Sequence, residues 1–257
     1  MGVLSNIKLS REEYDYLVNK AHFFDYGSEA HIIRDGDYVM KLFRKNFGHE
    51  LVNDDEIESI RENKHQKIKI LHGMKTFDNE FRPLATYSYN GKFVGYKGKY
   101  LDLPNLGDIS LNKEEKIHYL KLIRNKLALF HELGIVYGDV KFDNILIDTA
   151  NRGKIIFVDI DNMKVLDHQI DMPNSFATDF LRKYGFVDKT LDSYMMNFLT
   201  IEQLINECFT YDYEDILNML EVGFIPLEVD CKKNKKLIRE MVYVTEKYSG
   251  QYLIDNL

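Results

Sequence analysis

The sequence predicts an α+β fold in two parts: a small antiparallel β-rich lobe over residues 1–101 and a larger helical lobe over residues 102–257. Three observations carry this. Short runs rich in aromatic and branched residues, separated by turn signals, dominate the chain from about residue 22 to residue 101. A single helical period interrupts them. After the loop DLPNLGD (102–108) the text becomes helix-dominated.

The elements follow in order. HFFDYG, HIIR and YVMKLF (22–27, 31–34, 38–43) read as strands, with RDGD as the hairpin turn between the last two. From Asp54 to about Met74 the period is helical: Ile57, Ile60, Lys64, Ile68 and Leu71 fall on one stripe, and Asp54 and Asp55 suit a first turn. Pro83 breaks the chain, and residues 84–101 form a second hairpin turning at Asn90-Gly91. Residues 112–134 make a strong amphipathic helix on Ile117, Leu120, Ile123, Leu127 and Phe130, with Gly134 as its end. NILID and KIIFVDI (144–148, 154–160) form a small β pair around TANRG. DSYMMNFLTIEQLI (192–205) is a helix too apolar for the surface, and two more helices are expected near 212–221 and 231–247.

Composition excludes several classes. The 257 residues are 45% hydrophobic and 29% charged, ordinary for a globular protein. A formal net charge of -7 argues against a nucleic-acid partner, which selects a basic face. Cys208 and Cys231 have no metal-type spacing, which points to a reduced, cytoplasmic setting. The N-terminal text lacks a signal-peptide core, Asn6 rejects a myristoylation pattern, and no apolar run reaches membrane-spanning length. No membrane partner is expected.

The chemistry lies at strand ends. Lys41 sits inside an apolar strand; Asp139 and Asn144 flank the start of another; Asp159 ends a third. Each alone reads as an edge lysine or a turn residue. Together they match a demand. Phosphoryl transfer from ATP needs a cation on the phosphates, oxygen ligands for Mg²⁺ and a base near the acceptor hydroxyl.

On these residues the chain resembles the protein-kinase superfamily over roughly residues 22–205. YGDVKFDN (137–144) is similar to the catalytic loop H-R-D-L-K-x-x-N, and VDID (158–161) stands where the family has D-F-G. The resemblance implies a bilobal protein-kinase-like fold with ATP and Mg²⁺ as cofactors. It implies Asp139 as catalytic base, Lys141 beside the transferring phosphoryl group, and Asn144 and Asp159 as metal ligands. Lys41 would hold the nucleotide phosphates. DYGSEAHI (25–32) overlays the glycine-rich loop, so that Gly27, Ser28 and Ala30 would let backbone approach the phosphates. Lys99, Tyr100 and Leu101 would be the adenine hinge, Leu146 the pocket floor, and Ile32 and Val39 its roof. Asp192 would brace the catalytic loop.

The departures are as informative. Tyr137 and Gly138 replace the family's His-Arg, and the G-D pair resembles the aminoglycoside and choline phosphotransferases; Lys141 is the Ser/Thr protein-kinase choice. No A-P-E lies in 160–190. Asp161 replaces the glycine of D-F-G and reads as a turn residue in DIDN, with an extra metal ligand as the alternative. Among Glu56, Glu58 and Glu62, Glu62 is the expected partner of Lys41, although aligning on KILHGM brings Lys67 or His65 to that place. His131 reads as a packed or capping histidine. The expected function is an ATP- and Mg-dependent phosphotransferase of Ser/Thr protein-kinase type acting on a protein hydroxyl. The alternatives are a small-molecule kinase with a hydroxyl acceptor, and a nucleotide-binding pseudokinase.

Overall fold

A computed structural model describes residues 4–19, 23–26, 29–45, 53–74, 82–148, 150, 153–171, 177–178, 181–182 and 185–204. Gly27, Ser28, both cysteines and the helices expected near 212–221 and 231–247 lie outside the described residues. The elements run β1 (Ser5–Leu9), α1 (Arg11–Asn19), β2 (Phe23–Tyr26), β3 (Ala30–Asp35), β4 (Tyr38–Phe43), α2 (Asp54–Gly73), β5 (Pro83–Tyr89) and β6 (Lys92–Lys99). Then come α3 (Lys113–Glu132), β7 (Ile135–Val136), β8 (Ile145–Ile147), β9 (Ile155–Phe157), β10 (Lys164–Val165) and α4 (Lys189–Leu204). The fold is mixed α and β. The chain divides into two compact units, Met1–Leu103 with Ile156–Met172, and Pro104–Ile155 with Pro173–Leu257.

The first unit is built on a six-stranded sheet in the order β1-β5-β6-β4-β3-β2. Its two hairpins turn where the sequence signals them. Gly36 (φ 57°), Asn90 (φ 49°) and Gly91 (φ 77°) take the left-handed conformations that tight hairpins require. The sheet is not wholly antiparallel, which corrects the expectation. β1 pairs in parallel with β5, from Ser5 opposite Ala85 to Leu9 opposite Tyr89. SNIKL has two apolar positions, too short an alternation to announce a strand. Its pairing is fixed by the open edge of β5 and by Asn6 Nδ2 donating to Ser88 Oγ at 3.1 Å.

Both faces of this sheet are used. Ser10 and Glu13 cap α1 reciprocally, the Ser10 N–H donating to Glu13 Oε2 (2.8 Å) and the Glu13 N–H to Ser10 Oγ (3.2 Å). The helix then lays Tyr14 and Leu17 on a buried cluster of Ile33, Met40, Leu42, Tyr87 and Val94. Strand alternation turns Lys41 and Phe43 to the other face. There Phe43 packs on Phe93 and Tyr96, and His65 of α2 stacks on Phe93 at 4.6 Å. The Asn53 side chain accepts the Glu56 N–H to start α2. Beside Ile57, Ile68 and Leu71, the buried stripe of α2 carries three cations: Arg61, Lys64 and Lys67. Arg61 donates to the carbonyls of Arg44 (3.2 Å) and Lys45 (3.3 Å), closing the end of β4.

Gly95 lies against β4. A Cβ there would overlap the Lys41 carbonyl oxygen and come within 3.0 Å of Leu42 Cα, both backbone atoms. Gly95→Ala is therefore expected to displace β4 and to destabilise the first unit by ~1–3 kcal/mol, the usual scale of overpacking. Denaturant titration checks this; an unchanged midpoint would refute the close approach.

In the second unit, Asn112 and Glu115 form a capping box on α3, and Gly134 (φ 74°) ends it. Leu120, Ile123, Leu127 and Phe130 of α3 are buried, as are Leu191, Met195, Met196 and Leu199 of α4. The hairpin after β8 is closed by the Asp148 N–H donating to the Lys154 carbonyl at 3.2 Å.

Candidate functional site

The first unit brings Lys41 of β4 to Asp159. Their side chains are hydrogen-bonded across 118 positions of sequence. Asp159 takes a left-handed backbone (φ 59°, ψ 45°) as it opens the 3-10 turn 160–162. A non-glycine residue held there stores strain of ~1–3 kcal/mol, which neighbouring contacts must over-determine. The second carboxylate on Lys41 is Asp161, whose Oδ1 accepts Nζ at 2.7 Å.

Asp161 is the correction that matters most. It is not merely a turn residue: its side chain is completely buried and accepts three donors. These are Lys41 Nζ, the Tyr96 hydroxyl at 2.8 Å and Lys64 Nζ at 2.8 Å. Lys64, fully buried on α2, donates as well to Asn162 Oδ1 (2.9 Å) and approaches Glu29 Oε2 (3.3 Å). Asn162 Nδ2 ties Glu29 Oε1 at 3.1 Å. Two ammonium groups thus face three carboxylates. Asp159, about a third exposed, is the most open of the three acids.

These charges fix a pH window. Burial alone would raise the Asp161 pKa, but the Lys41 and Lys64 ammonium groups outweigh it and hold the carboxyl well below its ordinary 3.8. Burial would lower Lys41 and Lys64, yet Asp159, Asp161 and Glu29 around the first, and Asp161 and Glu29 around the second, raise both above 10.5. The stability that Asp161 adds is therefore present above about pH 4 and lost as pH falls further. The lysine contribution is present below about pH 10.5 and lost as pH climbs beyond it. Denaturant midpoints should fall steeply below about pH 4 in the wild type and less steeply in Asp161→Asn. Equal slopes would contradict this account.

Other expected positions fall as follows. Glu62 does not pair with Lys41: its side chain is 60% exposed, accepts from Gln66 Nε2 at 2.5 Å and lies 3.8 Å from His65. The α2 residue brought to this cluster is the cation Lys64, two positions from Glu62 and on the opposite, buried side of the helix. Neither alternative, Lys67 or His65, stands there. Lys67 is buried against Asp171 (2.6 Å) and the Gln169 carbonyl (3.1 Å). Ala30 is buried opposite Phe43; Ile32 stands opposite Lys41, and Val39 opposite Gly98. Lys99 ends β6, the Tyr100 N–H donates to the Asp37 carbonyl (2.8 Å), and Leu101 follows half-buried. The missed signal was Lys64 itself. A lysine on a buried stripe demands a counter-charge.

The second unit holds the loop 137–144. Asn144, buried, turns Nδ2 to Asp139, donating to Oδ2 at 2.6 Å and to its main-chain carbonyl at 3.1 Å. Lys141 Nζ lies 3.1 Å from the same carboxylate. Gly138 precedes Asp139 with φ 74°, a bend that favours glycine. The loop is clamped from α4. The fully buried Asp192 carboxylate accepts the N–H of Tyr137 (2.9 Å) and of Gly138 (2.7 Å). His131 Nε2 lies 2.8 Å from its Oδ2, so His131 joins this clamp and does more than pack. Leu146 forms an isolated bridge with Asn105, in the loop before α3.

Among the described residues, no group of three or more His, Cys, Asp or Glu side chains could hold a metal ion alone. Mg²⁺ keeps waters and is commonly held by one or two carboxylates together with substrate phosphates. Asp159 fits as the most open of the clustered acids. Asn144 fits because its Nδ2 serves Asp139, leaving Oδ1 as the acceptor side of the amide.

No family model matches the chain. A probable serine/threonine-protein kinase of Dictyostelium discoideum is 26% identical over 117 residues, covering 46% of this chain and 19% of that protein. The similarity is weak and partial, and it hints at a kinase relationship. No helix among the described residues is long and apolar enough to cross a membrane.

Proposed function

We propose that this chain is an ATP- and Mg²⁺-dependent phosphotransferase of Ser/Thr protein-kinase type, acting on a protein hydroxyl. The observation that carries the reading is the bond between Lys41 and Asp159, two residues distant in sequence whose chemistries are those wanted around a nucleotide's phosphates. Bound Mg·ATP would supply the phosphoryl group and neutralise its developing charge. Asp159 would offer its carboxylate to the ion, and Asn144 is the amide that the loop 137–144 would offer. Lys41 binds the phosphates. Asp139 accepts the proton of the acceptor hydroxyl. Lys141, beside Asp139 at 3.1 Å, places positive charge near that step. Lys141 and the similarity to a probable serine/threonine-protein kinase favour a protein acceptor.

Mg·ATP is expected to raise the melting temperature, since a ligand selective for the folded state stabilises it by mass action. Asp159→Asn should remove most of the metal-dependent part. A shift of the same size in EDTA would contradict Asp159 as a metal ligand. Labelled ATP, offered with a peptide library and with small alcohols and sugars, tests the acceptor. Transfer to the small molecules alone would move the acceptor class to them, and binding without any transfer would move the chain to a nucleotide-binding scaffold.

A further inference from the structure

Around Lys41 the charges follow an arrangement of their own. The helix α2, which in the expected pattern offers a glutamate to the strand lysine, offers Lys64 instead. The turn after Asp159, where the expected pattern has glycine, offers Asp161. The two departures meet: Lys64 Nζ and Asp161 Oδ2 are 2.8 Å apart and both side chains are fully buried. The other oxygen of the same carboxylate accepts Lys41 Nζ at 2.7 Å and the Tyr96 hydroxyl at 2.8 Å.

We propose that Asp161 is the positioning residue for Lys41, doing from the turn what a helix carboxylate would otherwise do, with Lys64 as the counter-charge that makes its burial possible. The inference rests on the phosphotransferase reading for its consequence, and on this geometry for its substance. One carboxylate serves two ammonium groups, one from each oxygen. Tyr96 is the register partner of Lys41 on β6, so the hydroxyl that aims Oδ1 comes from the adjacent strand. Lys64 takes further acceptors from Asn162 and Glu29, on the turn and just before β3. Lys41 also meets Asp159, the acid assigned to the metal. If Asp159 were to hold an ion, Asp161 would still bond the ammonium.

The test uses the full chain with Asp161→Asn, Lys64→Met and the double variant. The double variant removes one positive and one negative charge, so the net charge of the cluster is kept. Each single variant should lower the melting temperature by about 5 °C or more, because a buried charge loses its partner. The double variant should recover much of that loss. Mg·ATP affinity, measured by calorimetry, should fall about tenfold or more in Asp161→Asn and should stay low in the double variant, the scale on which supporting partners act. A second measurement needs no nucleotide. Amine labelling of Lys41, read by mass spectrometry, should be slow in the wild type and at least several-fold faster in Asp161→Asn and in the double variant, because Lys41 has lost the buried carboxylate that fixes its side chain at 2.7 Å and is freer to meet the reagent. Recovery of both stability and nucleotide affinity in the double variant would overturn the proposal, leaving Asp161 as a counter-charge for Lys64. Unchanged labelling of Lys41 in Asp161→Asn would also overturn it. If the wild-type chain binds no Mg·ATP, the phosphotransferase reading falls, and the labelling result still decides whether Asp161 holds Lys41.

Discussion

Asp139→Asn is expected to reduce phosphotransfer by at least about 10²-fold while leaving Mg·ATP affinity nearly unchanged. The substitution keeps the shape of the side chain and removes its charge. Asn144 Nδ2 donates to both the carboxylate and the main-chain carbonyl of Asp139, and the second of these bonds is untouched by the change. The first can be remade to the amide oxygen. The loop should therefore hold its course, and what is lost is basicity at the acceptor hydroxyl. That contribution belongs to the transition state and hardly at all to the bound nucleotide. General-base catalysis of this kind is worth about 10²–10⁴-fold, or roughly 3–5 kcal/mol of barrier. Single-turnover kinetics with calorimetric nucleotide binding separates the two quantities. Full transfer by Asp139→Asn to a verified substrate would reduce Asp139 to a turn residue.

Asp192→Ala is expected to destabilise the second unit strongly. The carboxylate accepts the N–H groups of Tyr137 and Gly138, at 2.9 and 2.7 Å, and meets His131 at 2.8 Å. Alanine removes the carboxylate to which both of these buried N–H groups donate. Hydrogen bonds to a charged group are worth about 1.5–3 kcal/mol each, so a loss of ~3 kcal/mol or more is expected. Because those two residues lead directly into Asp139, phosphotransfer should fall as well. Asp192→Asn, which keeps one acceptor oxygen, should lose less of both. Chemical denaturation of the two variants gives the comparison, and an Ala variant as stable as the wild type would remove the clamp from this account.

The hairpins at Gly36 and Asn90-Gly91, and α2 and α3, were legible because their signals are local: turn chemistry, caps and a helical period lie within a few positions. The ends of strands gave the candidate chemistry for a similar reason. A polar residue closing an apolar run, as Asp159 closes IIFV, stands out without any knowledge of its partner. What escaped was long-range pairing. Lys64 and Asp161 are 97 positions apart. Seen singly, one is an outlier on a helix stripe and the other sits in a turn-like DIDN. Glu62 looked apt because it is acidic and on the right helix, but it lies on the exposed side, and sequence alone does not weigh one face of α2 against another when Arg61, Lys64 and Lys67 are the buried ones. The parallel strand β1 escaped too, since its register is written in β5 and not in SNIKL.

The buried lysine on α2 also makes a statement about descent. A lysine at 64 without Asp161, or an aspartate at 161 without Lys64, would each shift the charge balance of the buried cluster around Lys41 by one unit. Neither step is easily taken alone, so the two identities should be inherited together. In an alignment of relatives, lysine at 64 is expected with aspartate at 161, and glutamate at 64 with a small neutral residue there. That paired signature would gather the chain's own lineage more sharply than the short loop 137–144.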